Sequence, residues 1–247
     1  MDIALLLIAA TATALATGLG AIPVFLLGPA AGRRLRPLLL GATVGIMTVA
    51  SFVGLLWPAI QEGGALEVGG GLVAGIVFLI VARGLVGRRE ARLLGTGRAG
   101  LRTSILVFAV LFVHSLPEGM AIGTAFASDR EGLSLFVIVA IALQNVPEGT
   151  SIAVPMSASG YGRRQQFWAA VATSAPQPPG ALLAYLLVQH VEGLLPISFA
   201  FAGGAMLALV AVELAPATVK GPSRGRGALG AVAGGAFMLA LALLLQP

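Results

Sequence analysis

The chain has 247 residues, of which 57% are hydrophobic and 10% are charged, and its formal net charge is +5. A soluble domain carries about a quarter charged residues, so 15 basic and 10 acidic side chains are too few to cover a water-facing surface. Disorder is excluded as well, because disordered chains combine low hydrophobicity with high charge. The absence of cysteine excludes disulfides and thiolate metal ligands. The composition therefore predicts an integral membrane protein.

Eight apolar runs along the chain are long enough to cross a bilayer, for which about 20 residues must span roughly 30 Å. They cover residues 3–27, 37–60, 66–87, 103–127, 132–157, 165–189, 194–217 and 227–245. Turn-forming residues separate several runs, as at Gly28-Pro29 and Gly63-Gly64. We predict an all-α integral membrane protein, with eight transmembrane helices in a single domain over residues 1–247.

The basic residues indicate the orientation of these spans. Fourteen of the 15 lie in or beside the loops that follow spans 1, 3, 5 and 7, and only Arg130 lies in an opposite loop. Because basic loops stay on the cytoplasmic side, both termini are predicted to lie outside. The richest basic segment, residues 88–102, is predicted to be a solvated cytoplasmic loop. This distribution explains the basic excess without nucleic-acid binding.

Ionisable residues inside a membrane are costly and suggest function. Residues 114–119 of the fourth span read HSLPEG, and residues 144–149 of the fifth read QNVPEG. In each motif the first polar residue and the glutamate are four positions apart, so they project from one helix face. The proline kinks a helix and frees a backbone carbonyl. The glycine lets a neighbouring helix or a hydrated ion approach.

Together the two motifs offer one imidazole, two carboxylates and one amide, from His114, Glu118, Gln144 and Glu148. Two bare carboxylates in hydrocarbon would each cost several kcal/mol, and a divalent cation would neutralise both. These ligand types suit zinc, iron, cobalt or manganese, whereas copper(I) prefers thiolates. The alternative is a proton-sharing carboxylate pair that only locks two kinked helices together.

These motifs resemble the fourth-span and fifth-span motifs of the ZIP (Zrt/Irt-like) family of divalent metal transporters. Residues 151–155, the stretch 204–216 and Ser51-Phe52 are also similar to the fifth, seventh and second spans of that family. The resemblance covers nearly the whole chain. It implies a bundle in which spans 1–3 and 6–8 are inverted repeats around the span 4–5 pair, with a metal site near mid-membrane.

The resemblance also implies which residues would bind metal. The primary transport site would comprise His114, Glu118, Gln144 and Glu148, and the adjacent second site would comprise Ser115, Asn145 and Gln177, with both glutamates bridging. Two positions depart from the family pattern: Ser115 stands where asparagine is usual, and Gln177 where many members have glutamate. Because a neutral amide removes one negative charge, we expect one metal ion at a time.

Two further polar residues are candidates for the transport pathway. Glu213 lies towards the cytoplasmic end of span 7, where it would be an exit ligand. The alternative is a carboxylate that reaches the interface or pairs with an arginine such as Arg164. Ser51 would line the pore, unless its hydroxyl bonds to its own helix.

The resemblance implies transport of divalent transition-metal ions towards the cytoplasm through the cell or inner membrane. Zinc is the first expectation, and iron, manganese, cobalt and cadmium stay open. The expected partners are the metal ion and the lipid bilayer, no prosthetic group is expected, and a homodimer is left open. The alternatives are a proton-coupled carrier of a non-metal cation and a metal-binding membrane protein without transport. An intramembrane metalloprotease is disfavoured because the chain has no His-Glu-x-x-His motif.

Overall fold

The computed structural model describes residues 3–93, 99–191, 193–219 and 223–247, and throughout these ranges the chain is helical apart from short connections, without strands. The α-helices are α1 (Ile3–Leu19), α2 (Ile22–Ser51), α3 (Trp57–Glu62), α4 (Ala65–Leu93), α5 (Ala99–Ala127), α6 (Leu133–Ala158), α7 (Arg163–Thr173), α8 (Gln177–His190), α9 (Leu194–Leu209), α10 (Ala215–Val219) and α11 (Arg224–Leu245). Two π-helical turns, Phe52–Leu56 and Val210–Leu214, join α2 to α3 and α9 to α10. The predicted all-α class is confirmed for these residues.

Six helical stretches of the described chain are long and apolar enough to cross a membrane: Ile3–Leu26, Arg34–Glu62, Ala65–Leu85, Leu133–Ala158, Leu194–Thr218 and Arg224–Leu245. The predicted span 103–127 lies within α5, although the side chains of residues 101–107 are outside the described part. The predicted span 165–189 is divided between α7 and α8, which have 11 and 14 residues. Prolines at 176, 178 and 179 cannot donate backbone hydrogen bonds, so one continuous helix does not form there.

The first predicted span is also interrupted. Helix α1 ends at Leu19 and α2 begins at Ile22, so the apolar run 3–27 is not one straight helix. The predicted turn at Gly28-Pro29 is a break inside α2, where Gly28 adopts a φ of 76° and a ψ of 169°. Glycine tolerates this positive φ because it has no Cβ. The break separates the end of the first predicted span from the second.

The predicted loop 88–102 is shorter in the structure than the sequence indicated. Helix α4 continues to Leu93 and α5 begins at Ala99, while residues 94–98 lie outside the described range. The reason is the local composition: arginine, glutamate, alanine and leucine are good helix formers, so a charged segment need not leave the helix. The cytoplasmic location of this segment stays a prediction.

Close helix pairs organise the bundle around α5 and α6. Helix α2 packs on α11, α4 packs on α9, α5 packs on α8, and α6 packs on α1 and α2. The glycines of the two Pro-Glu-Gly motifs make two of these contacts possible. A Cβ on Gly119 would overlap the carbonyl oxygen of Gln177 in α8, and a Cβ on Gly149 would overlap that of Thr17 in α1. These glycines therefore admit neighbouring helices, which bring polar side chains of α1 and α8 to the level of the glutamates.

Candidate metal centre

The two motifs lie near the middle of α5 and α6, far from either helix end. Both Pro117 and Pro147 are inside these helices. The side chains of the predicted cluster are almost completely buried, with relative exposures of 3% for His114, 2% for Glu148 and 0% for Glu118 and Gln144. The helices therefore bring the four predicted primary-site residues into one enclosed region.

Glu118 is held by amides on both of its oxygens. Gln144 Nε2 donates to Glu118 Oε1 over 2.6 Å, and Gln177 Nε2 donates to Glu118 Oε2 over 2.8 Å. Hydrogen bonds to a charged acceptor are shorter and stronger than neutral ones. The two amides therefore fix the position of this carboxylate between α6 and α8.

In contrast to Glu118, the side chains of His114 and Glu148 are not held by hydrogen bonds within the described part of the chain. His114 Nε2 lies 3.8 Å from Glu148 Oε1, which is too long for a hydrogen bond. Within the described part of the chain, neither ring nitrogen of His114 and neither oxygen of Glu148 has a hydrogen-bond partner, and the same holds for Gln144 Oε1. Buried polar groups are normally satisfied, and each one left unpaired costs about 1–3 kcal/mol. A cation that accepts these lone pairs would remove that cost.

In the conformation of the described chain, no three His, Asp or Glu side chains form a group that could hold a metal by themselves. His114 and Glu148 face each other, whereas both oxygens of Glu118 accept hydrogen bonds from the amides of Gln144 and Gln177. The unpartnered acceptors instead belong to one imidazole, one carboxylate and one amide. An ion in this cluster would therefore need the oxygen of Gln144 or a changed position of Glu118 to complete its ligands.

The residues predicted for a second site are engaged in hydrogen bonds within the protein. Ser115 Oγ donates to the carbonyl oxygen of Leu111 over 2.9 Å. Gln177 Oε1 accepts from Thr13 Oγ1 over 2.9 Å and from Asn145 Nδ2 over 3.3 Å. Among the described residues, Asn145 Oδ1 is the one atom of these three side chains left buried without a partner.

Threonines of α1 were missed by the sequence reasoning. Thr13 contacts Gln177, and Thr17 Oγ1 lies 2.6 Å from Ser174 Oγ in a buried hydrogen bond. Their spacing of four residues places them on one helix face, which was the available signal. Threonine is unremarkable in an apolar helix, because its hydroxyl can bond to its own backbone. The single proton of Thr13 Oγ1 has two acceptors within reach, Ala10 O over 2.8 Å and Gln177 Oε1 over 2.9 Å.

The two candidate pathway residues lie outside this cluster. Glu213 Oε2 is 3.6 Å from Arg83 Nε in α4, with side-chain exposures of 32% and 43%. The arginine partner is thus Arg83 rather than Arg164, because α9, which leads into the π-helical turn that carries Glu213, packs on α4. Ser51 is buried, and its hydroxyl has no hydrogen-bond partner in the described structure, so the predicted alternative of a bond to its own helix is wrong.

Comparison with known proteins gives a consistent family relationship. The family model described as ZIP Zinc transporter matches residues 90–242. The chain is 32% identical over 248 residues to zinc transporter GufA of Myxococcus xanthus, covering 96% of both proteins. It is 30% identical over 253 residues to zinc transporter ZupT of Corynebacterium efficiens, covering 94% of this chain and 93% of that protein. A longer protein of Arabidopsis thaliana with zinc transporter in its name is 31% identical over 242 residues, and the match spans 38% of its length.

Proposed function

The chain belongs to the ZIP family, and we propose that it transports divalent transition-metal ions, zinc first among them, across a membrane towards the cytoplasm. The resemblance of the chain to this family is thereby confirmed, and the relatives named as zinc transporters support zinc as the leading substrate. The inward direction is the one that the family resemblance implies. Iron, manganese, cobalt and cadmium belong in the same test, because the ligand types suit several of these ions.

One observation carries this proposal: His114 Nε2 and Glu148 Oε1 face each other over 3.8 Å, and within the described part of the chain both are buried without a hydrogen-bond partner. A protein that only stabilised its helices would gain from pairing these groups with donors, as it does for Glu118. Leaving an imidazole and a carboxylate unpaired at low dielectric is costly, and it is useful if an ion occupies them transiently. Because metal and protons compete for the same ligands, proton uptake by these groups would favour release.

The proposed architecture has eight spans, with spans 1–3 and 6–8 as inverted repeats around α5 and α6. Four correspondences support this arrangement. The contact of α1 with α6 matches that of α8 with α5, and the contact of α2 with α11 matches that of α9 with α4. Spans 2 and 7 each contain a π-helical turn, at Phe52–Leu56 and Val210–Leu214. Spans 1 and 6 are each interrupted.

The proposed orientation puts both termini outside the cell or inner membrane, on the basis of the basic loops. Two ion pairs each join residues that the eight-span topology puts on the same side of the membrane. Arg130 is the one basic residue outside the loops that follow spans 1, 3, 5 and 7. It donates to Glu62 Oε1 over 2.8 Å and also contacts Gln61. Arg83 and Glu213 form a pair at the ends that this topology assigns to the cytoplasm.

The experiment is uptake into proteoliposomes that contain the purified chain, across a panel of divalent metals. Glu148→Gln removes the charge of an unpartnered ligand, and Glu131→Gln is the matched control because Glu131 is exposed in the loop between α5 and α6. The proposal predicts metal uptake that is lost in Glu148→Gln and retained in Glu131→Gln. Uptake of a non-metal cation alone would favour the carrier alternative. Metal binding without uptake under any ion gradient would favour a metal-binding protein that does not transport.

A further inference from the structure

Helices α2 and α11 pack side by side through glycines that bring their backbones close together. A Cβ on Gly41 would overlap the carbonyl oxygen of Gly227. One turn further along both helices, a Cβ on Gly45 would overlap the carbonyl oxygen of Ala231. Residue numbers therefore rise in the same direction along α2 and α11, so the two helices are parallel in the region where they touch.

Four arginines lie where these two helices enter the membrane. The apolar stretches that are long enough to cross it begin at Arg34 in α2 and at Arg224 in α11, and Arg36 and Arg226 each follow two positions later. Because the helices are parallel, both beginnings lie at the same membrane interface. The glycine contacts set the register, and at about 1.5 Å per residue the four arginines lie within about 10 Å of one another along the helix axes. We call these four residues the arginine patch.

The charge of the arginine patch is not balanced within the described part of the protein. All four side chains are exposed, and among the described residues no carboxylate forms an ion pair with any of them. By contrast, Arg83 pairs with Glu213, and Arg130 pairs with Glu62. Like charges held close together repel one another. The arginine patch therefore attracts an anion from outside the chain.

The surface of α11 next to the arginine patch, on the side of the membrane core, is apolar. Leu229 and Val232 are 63% and 71% exposed. Leu229 stands three positions after Arg226, so the two side chains lie on the same side of the helix. A ligand that fits both features carries a negative charge at the interface and a hydrocarbon chain below it. A phospholipid with an anionic headgroup has both parts, whereas a soluble anion has only the first.

We infer that the arginine patch binds the headgroup of an anionic phospholipid, whose acyl chains lie along the exposed face of α11. A guanidinium group matches phosphate oxygens with two parallel N–H bonds, and basic clusters beside membrane spans attract anionic lipids. The bound headgroup offsets the repulsion between the arginines of α2 and those of α11. The inference goes beyond the proposed function, because it requires only that both helices cross the membrane and does not involve the metal cluster.

The first test measures lipid binding to the purified full-length protein, with phosphatidylglycerol as the anionic probe and phosphatidylcholine as the neutral one. The wild-type protein is expected to bind phosphatidylglycerol more tightly. The double variant Arg34→Gln with Arg226→Gln should lose about 25-fold in this affinity, at about fivefold for each basic group beside an anionic headgroup. The matched control, Arg163→Gln with Arg164→Gln, removes the same charge from the exposed beginning of α7 and should keep the wild-type affinity.

Three results of this test would overturn the inference. The first is equal affinity of the wild-type protein for the two lipids, and the second is an equal loss in the two double variants. The third is displacement of phosphatidylglycerol by an equal concentration of inorganic phosphate, which would indicate a site for soluble anions. Because the replaced arginines are exposed, both double variants are expected to unfold at the wild-type temperature in phosphatidylcholine.

The second test locates the lipid on α11. Because the natural chain has no cysteine, a bimane fluorophore can be attached at Leu229→Cys or, as the control, at Leu243→Cys, where the natural side chain is 80% exposed near the other end of α11. Brominated phosphatidylglycerol should quench the label at position 229 more strongly than brominated phosphatidylcholine, and the two lipids should quench equally at position 243. Adding Arg34→Gln and Arg226→Gln should remove the difference at position 229. Equal quenching by both lipids at position 229 in the protein with all four arginines would overturn the inference.

Discussion

The Nε2 atom of His114 and the Oε1 atom of Glu148 face each other across 3.8 Å, from two different helices. Both side chains are buried, and among the described residues neither group has a hydrogen-bond partner. Zinc binds imidazole nitrogen and carboxylate oxygen at about 2.0–2.2 Å, so a separation just under about 4 Å admits one ion between the two atoms. This distance is therefore compatible with the proposed ion site, whereas Glu118 is held by two amides.

The two motif glutamates are expected to respond differently to neutralisation. Glu148→Gln removes a free ligand, so zinc affinity and uptake should each fall at least about tenfold, which corresponds to loss of about 1.4 kcal/mol of binding free energy. Glu118→Gln removes the charged acceptor of two amides, and it should also lower the thermal unfolding temperature. Zinc titration and thermal unfolding of both variants test this difference. Equal unfolding temperatures, with wild-type affinity in both variants, would contradict it.

Replacement of the histidine should change the metal preference. Imidazole favours zinc, while manganese is well served by oxygen ligands alone. His114→Ala is therefore expected to weaken zinc binding more than manganese binding. Competition between the two metals in the purified protein measures the ratio directly. An equal loss for both metals would argue that His114 is not a ligand.

The close approach of α1 and α8 to the motif helices should depend on two glycines. Gly119→Ala and Gly149→Ala each place a methyl group on a backbone carbonyl of the neighbouring helix, so each should destabilise the protein by about 1–3 kcal/mol through overpacking. Gly69→Ala in α4 is the control, because a Cβ there meets nothing within 4 Å in the described structure. Thermal unfolding in one detergent compares the three variants, and similar stability in all three would refute the proposed packing.

Variants of Arg83 and Glu213 can show whether Glu213 acts as a metal ligand or only as the partner of Arg83 in an ion pair. Both side chains are partly exposed, so the pair contributes only about 0–1 kcal/mol to stability. If Glu213 is an exit ligand, Glu213→Gln lowers uptake and Arg83→Gln does not. Proteoliposome uptake rates for the two variants distinguish the roles. An equal loss in both would indicate that the ion pair matters and that Glu213 does not bind the metal.

The orientation can be tested with single cysteines, because the natural chain contains none. Ser159→Cys lies in the exposed connection between α6 and α7, and Asp129→Cys lies in the exposed connection between α5 and α6. A membrane-impermeant maleimide added to whole cells should label Asp129→Cys and should label Ser159→Cys only after the membrane is opened. The reverse pattern would place both termini inside.

The primary cluster was predictable because His114, Glu118 and Glu148 are costly in hydrocarbon and stand in a repeated pattern. The contact between Thr13 and Gln177 was not, because it joins residues 164 positions apart and threonine is common in apolar helices. The division of the sixth predicted span was also missed, although its prolines carried the signal. Hydropathy alone locates an apolar run and gives no information on whether it forms one helix or two.

The most direct test of the metal centre is anomalous diffraction at the zinc edge from crystals of the zinc-loaded protein. We predict one anomalous peak inside the bundle, within about 2.0–2.2 Å of His114 Nε2 and a Glu148 carboxylate oxygen, and no second peak beside Gln177. A peak that lies away from both His114 and Glu148, or a bundle without any peak in zinc-saturated crystals, would contradict the assignment of this site.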